Sequence, residues 1–101
     1  MIQDELYKLD EDEGGFILFR VDRIEDIDHT RHFFCTPVAS TPFLWNKKIW
    51  EFTMKNNGSN LVSDGGRRCI GPAIHVPYTD LPLYIHWPFK YPAFFEIMKT
   101  L

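Results

Sequence analysis

The sequence predicts an α+β fold, a small and mostly antiparallel sheet or partly open barrel with a C-terminal amphipathic helix. Short runs of β-forming residues recur between turn signals along most of the chain, and one apolar stripe of helical spacing stands near its end. A length of 101 residues with 45% hydrophobic content leaves room for one core and no second one, so residues 1–101 are expected to form a single domain.

Leu6 and Leu9 give the opening segment a stripe sufficient for a turn or two of helix, before the charged turn Asp10 to Gly15. Phe16 to Arg23 then reads as a strand, with Ile17, Phe19 and Val21 on one face and Phe16, Leu18 and Arg20 on the other. Both faces begin apolar, so this strand should enter the core centrally. The polar stretch Glu25 to Thr30 is expected to turn the chain, and Arg31 to Thr36 to form a second strand that Pro37 stops. Pro37 to Pro42 is then loop.

From Ile49 onward Trp50, Phe52 and Met54 alternate as a strand facing a core, although Trp45 and Ile49 alone have helical spacing. Asn56-Asn57-Gly58 signals a hairpin returning through Asn60 to Ser63, and Asp64-Gly65-Gly66 a second turn into Arg67 to Ile70. Prolines at 72, 77, 82, 88 and 92 confine strands to short pieces beyond that, Leu83 to Trp87 being the best of them. Pro92 suits a first helical position. Phe94, Ile97, Met98 and Leu101 follow at i, i+3, i+4 and i+7, the stripe of a helix that packs on a sheet.

The net charge of −3 conceals a polarity: residues 1–30 carry ten acids and three bases, whereas the remainder carries eight bases and four acids. Such a chain can offer an acidic face to a basic partner, a basic face to nucleic acid, or one to the other in a head-to-tail dimer; two merely solvated surfaces explain it equally. Nine Phe, four Tyr and three Trp exceed what so small a core requires, which places some rings near the surface. The two cysteines, Cys35 and Cys69, are too few for a disulfide-built scaffold. Asp4, Glu5 and Lys8 interrupt any secretory apolar region and no run approaches the ~20 apolar residues of a membrane span, so a cytoplasmic protein with free thiols is expected.

His29-x-x-His32-x-x-Cys35, with Cys69 and His75 downstream, contains zinc-ligating residue types, but the spacing matches no known finger or ribbon. A strand would also send His32 and Cys35 to opposite faces. A cysteine nucleophile, Cys35 with His32 or His75, or Cys69 beside Arg67 and Arg68, lacks an orienting third group. Walker, H-E-x-x-H, G-x-S-x-G and dinucleotide motifs are absent from the sequence. Ser63 to Arg68 offers glycines and two guanidinium groups for a phosphate nest, yet reads equally as a hairpin turn.

Two surfaces remain. The acidic set Asp10, Glu11, Asp12, Glu13, Asp22, Glu25 and Asp26 could steer the chain onto a basic protein surface, with aromatic residues as anchors. The basic and aromatic set Trp45, Lys47, Lys48, Lys55, Arg67 and Arg68 could instead stack bases and follow a single-stranded backbone, but no module signature accompanies it. Ala93 and Phe95, off the helix stripe, and Trp87, Phe89 and Tyr91 before it could add an apolar patch for a partner or a homodimer. The expectation is a non-catalytic protein-interaction module of the small acidic inhibitor or immunity-antagonist kind, without cofactor, metal or membrane. A single-stranded nucleic-acid-binding module is the alternative.

Overall fold

The computed structural model describes residues 1–11, 14–41, 49–54, 61–63 and 69–101. Strands β1 (Leu6–Glu11), β2 (Phe16–Ile27), β3 (Thr30–Ser40), β4 (Trp50–Met54), β5 (Leu61–Ser63) and β6 (Cys69–Val76) precede a 3₁₀ helix (Tyr78–Tyr84), strand β7 (Phe89–Lys90) and helix α1 (Pro92–Met98). The main sheet runs β5-β4-β3-β2-β1-β6 with every pairing antiparallel, and β7 pairs with the C-terminal end of β3. The predicted α+β architecture is thus present.

Connectivity requires this sheet to curl. β5 and β6 stand at opposite ends of the path yet are joined by residues 64–68 alone. That link spans at most roughly 20 Å, whereas a flat sheet would separate the two edges by about 24 Å. β5 and β6 do approach one another, which bends the sheet into a half-barrel.

Two apolar clusters follow from the period of two. Tyr7, Leu9, Ile17, Phe19, Val21, Phe33, Cys35, Trp50, Phe52 and Leu61 pack together on one face. Leu6, Leu18, Val38, Ala39 and Val76 lie in the second cluster, where Leu81 of the 3₁₀ helix and Ala93, Phe94 and Ile97 of α1 cover them. Full burial of a side chain such as Phe94 or Ile97 contributes about 1.5–3 kcal/mol. Trp50, Phe52 and Met54 join the first cluster as their alternation predicted, Met54 at its partly buried margin.

Bulges keep this pattern in phase. Val21 is opposite Cys35 and Arg23 is opposite Phe34, so Asp22 is an extra residue on β2. The slip moves the inward position from Arg23 to Ile24, which packs on the first cluster, and leaves Arg23 over the Phe34 ring at 4.1 Å. A second bulge at Val38 follows Pro37.

Four expectations are corrected. Residues Leu6 to Glu11 form a strand and not a helical turn, because Tyr7 and Leu9 alternate into one cluster while Leu6 enters the other, between β2 and β6. The chain turns only at Asp28 and His29, both with positive φ (51° and 63°), and the polar arms on either side stay paired as strands from Glu25↔His32 to Ile27↔Thr30. Positive φ at both central residues is the mark of a type I′ hairpin. Pro37 does not end β3, which continues to Ser40. It falls between the stretch paired with β4 and the stretch paired with β7, where no amide donor is required on that side.

The fourth is Leu83 to Trp87, where a 3₁₀ helix and a tight turn replace the expected strand. Three residues per turn place Tyr78, Leu81, Tyr84 and Trp87 on one side, against the second cluster. Pro92 opens α1 as expected, but the helix ends at Met98 and Leu101 is exposed. β4 and β5 pair antiparallel as the Asn-Gly signal implied, while the turn signals at 56–58 and 64–66 lie outside the described residues.

Candidate interaction surface

The acidic residues divide into two groups. Asp22, Glu25 and Asp26 lie on β2, each beside an arginine of the β2–β3 hairpin. Arg20 Nε meets Asp22 at 2.7 Å, Arg23 Nε meets Glu25 at 3.1 Å, and Arg31 Nε meets Asp26 at 3.0 Å. Thr36 also donates its hydroxyl hydrogen to Asp22. The hydrogen bond and charge of Arg31 hold the Asp26 carboxyl below its ordinary range. Exposed pairs of this kind contribute about 0–1 kcal/mol each, and they cancel charge along the hairpin locally.

Asp10 and Glu11 are elsewhere, at the end of β1. Asp10 is exposed and lies opposite Phe16, so the acidic run leads directly to that ring. Asp12 and Glu13 lie outside the described residues, as do Trp45, Lys47, Lys48, Lys55, Arg67 and Arg68.

The residues with metal-ligating side chains are dispersed. His32 Nδ1 pairs with Glu51 at 2.5 Å and His75 Nε2 with Glu5 at 3.1 Å, while His29 occupies the hairpin turn. Cys35 points into the first cluster, the face opposite to His32 that strand geometry demands. Burial, followed by the neighbouring Asp22 carboxylate, pushes its thiol far above the ordinary range, which suppresses the thiolate that nucleophilic attack needs. Among the described residues no group of three or more His, Cys, Asp or Glu could hold a metal ion.

A groove of about 270 Å³ runs beside the start of α1, lined among others by Arg20, Thr36, Ile49, Tyr91 and Glu96. Its cation is already committed, since Arg20 is the partner of Asp22.

A more distinctive surface surrounds the 3₁₀ helix. The turn that buries Tyr78, Leu81, Tyr84 and Trp87 points Leu83 and Ile85 outward, 66% and 53% exposed. Trp87 meets Tyr84 edge-on at 4.8 Å and stacks on Phe16 at 6.3 Å, and Phe16 is itself 40% exposed. Thr41 fixes the Phe16 backbone, its hydroxyl accepting from the Phe16 amide at 2.8 Å. The Lys90 ammonium closes the turn by donating to the carbonyls of Ile85 (3.0 Å) and Trp87 (2.8 Å). One short segment therefore presents aliphatic and aromatic side chains outward and is held from beneath.

Sequence reasoning reached part of this surface. It named Trp87 and Phe89 but placed Leu83 and Ile85 on a strand. The signal that identifies them is the period of three in Tyr78, Leu81, Tyr84 and Trp87 after Pro77. Ala93, expected off the helix stripe, is buried, whereas Phe95 is exposed. No helix among the described residues is long and apolar enough to cross a membrane. No protein-family model, curated protein or solved structure matches the chain.

Proposed function

We propose that this chain is a non-catalytic protein-interaction module, acting by direct binding in the manner of a small acidic inhibitor or immunity-type antagonist. The observation that carries the reading is the outward presentation of Leu83 and Ile85 next to the Phe16–Trp87 pair. Isolated exposed apolar residues are ordinary, but a contiguous group held by its own polar contacts has the form of a contact surface. Apolar anchors of this kind supply most of the binding energy in protein interfaces, while charges outside them act chiefly on rate and selectivity. The acidic function expected from the sequence then falls to Asp10 to Glu13, since Asp22, Glu25 and Asp26 have arginine partners. The buried, protonated thiol of Cys35 suits a reducing, cytoplasmic setting.

The test is quantitative affinity capture from a nuclease-treated lysate of the source cells, with wild-type chain and a Leu83→Gln/Ile85→Gln variant whose circular dichroism matches it. The expected result is one protein recovered in stoichiometric amount by the wild type and lost with the variant. Equal recovery by both would remove the surface. Recovery of nucleic acid alone, in the absence of nuclease, would favour the basic and aromatic alternative.

A further inference from the structure

The surface around Phe16 and Trp87 has an acidic margin on two sides. Asp10 is directly opposite Phe16 on β1, and Glu11, Asp12 and Glu13 follow it in the short connection to β2. On the other side Asp80 lies on the 3₁₀ helix that carries Tyr84. Burial and then the Asp80 carboxylate raise the titration of the Tyr84 phenol, so the field of Asp80 reaches the ring that packs on Trp87. The described cations near the surface are constrained: Lys90 is bound to the carbonyls of its own turn, and Lys8 lies over the Phe16 ring at 5.4 Å. Residues 8–13 together hold one base against four acids.

We infer that the partner of this surface is a basic amphipathic segment, with aliphatic or aromatic side chains that dock on Leu83, Ile85, Phe16 and Trp87 and Lys or Arg side chains that face Asp10 to Glu13. The inference rests on the interaction reading above and adds the chemistry of the partner to it. Apolar contact supplies affinity, while opposite charge at the margin selects basic over acidic segments and accelerates encounter. Selection by charge weakens as salt shortens the screening length, whereas the apolar contact persists.

Fluorescence anisotropy with two synthetic helical peptides tests this, one pairing Leu with Lys at helical spacing and the other carrying Glu at every Lys position. The Lys peptide is expected to bind the wild-type chain about tenfold more tightly or better, with the margin narrowing at high salt. Asp10→Asn with Asp12→Asn and Glu13→Gln should reduce that preference. Leu83→Gln with Ile85→Gln, which leaves the charge unchanged, should abolish binding and thereby separate docking from non-specific attraction. Equal affinity for both peptides, or tighter binding of the Glu peptide, overturns the basic-partner inference; if the Gln variant also loses that binding, the surface itself stands. No binding of either peptide overturns both. Concentration-dependent self-association of the wild type that the Gln variant lacks makes the occupant a second copy and also overturns it.

Discussion

His29 shows how one residue can oppose its own backbone. A two-residue type I′ turn favours Asn-Gly or Asp-Gly, and here Asp28 fits the first position while His29 holds φ at 63° with a Cβ. The left-handed region costs a non-glycine residue about 1–2 kcal/mol, of which glycine's greater unfolded-state freedom returns part. His29→Gly is therefore expected to stabilise the chain by about 0.5–1 kcal/mol, seen as a higher urea midpoint at unchanged slope. An unchanged or lower midpoint would mean that the imidazole makes a compensating contact. Lys90 is the converse case, a surface cation whose value lies in the two carbonyls it serves. Lys90→Met should cost about 1–3 kcal/mol, and should speed amide exchange through 84–88 more than elsewhere.

At the scale of elements, α1 separates what patterning reveals from what it hides. The stripe Phe94, Ile97, Met98 is real, but Leu101 lies beyond the last helical residue and is exposed. Phe94→Ala should thus cost about 3–5 kcal/mol, whereas Leu101→Ala should fall within about 0.5 kcal/mol of wild type in denaturant unfolding. A comparable loss at Leu101 would mean that the stripe continues to the end of the chain. Elements with one clear period and a clear terminator were legible: β2 from its two-sided apolar start, β4 from Trp50 and Phe52, α1 from Pro92. Long-range pairing decided the others. Leu6 and Leu9 have helical spacing, and only their places between β2 and β6 make them a strand. Glu25 to Ile27 looks like a turn because a hairpin arm in solvent needs no apolar face, its cross-strand order coming from pairs such as Arg31–Asp26. The contact surface was half legible for the same kind of reason. Its rings are evident in the composition, but the exposure of Leu83 and Ile85 depends on a 3₁₀ period that alternation conceals.

For the whole molecule, burial couples stability to alkaline pH. It raises the Cys35 thiol and, less strongly, the Tyr78 and Tyr84 phenols. Each group then holds its proton more tightly in the folded chain than in the unfolded one. The folded state binds the more protons once pH exceeds the unfolded values, about 8.5 for Cys and 10 for Tyr, so stability is complete below that range and declines above it. Urea midpoints should fall from pH 8 to 10, and Cys35→Ala should flatten the early part of the decline; a pH-independent wild-type midpoint would contradict this. The fold places its two charged regions differently, one neutralised along the β2–β3 hairpin and the other beside the aromatic surface. The decisive measurement is hydrogen–deuterium exchange of the chain alone and in complex with the protein it captures. Protection concentrated at 82–90 and around Phe16 is the expected result, with little change at 22–31. Protection confined to 22–31, or absent from 82–90, would contradict the assignment of the binding surface.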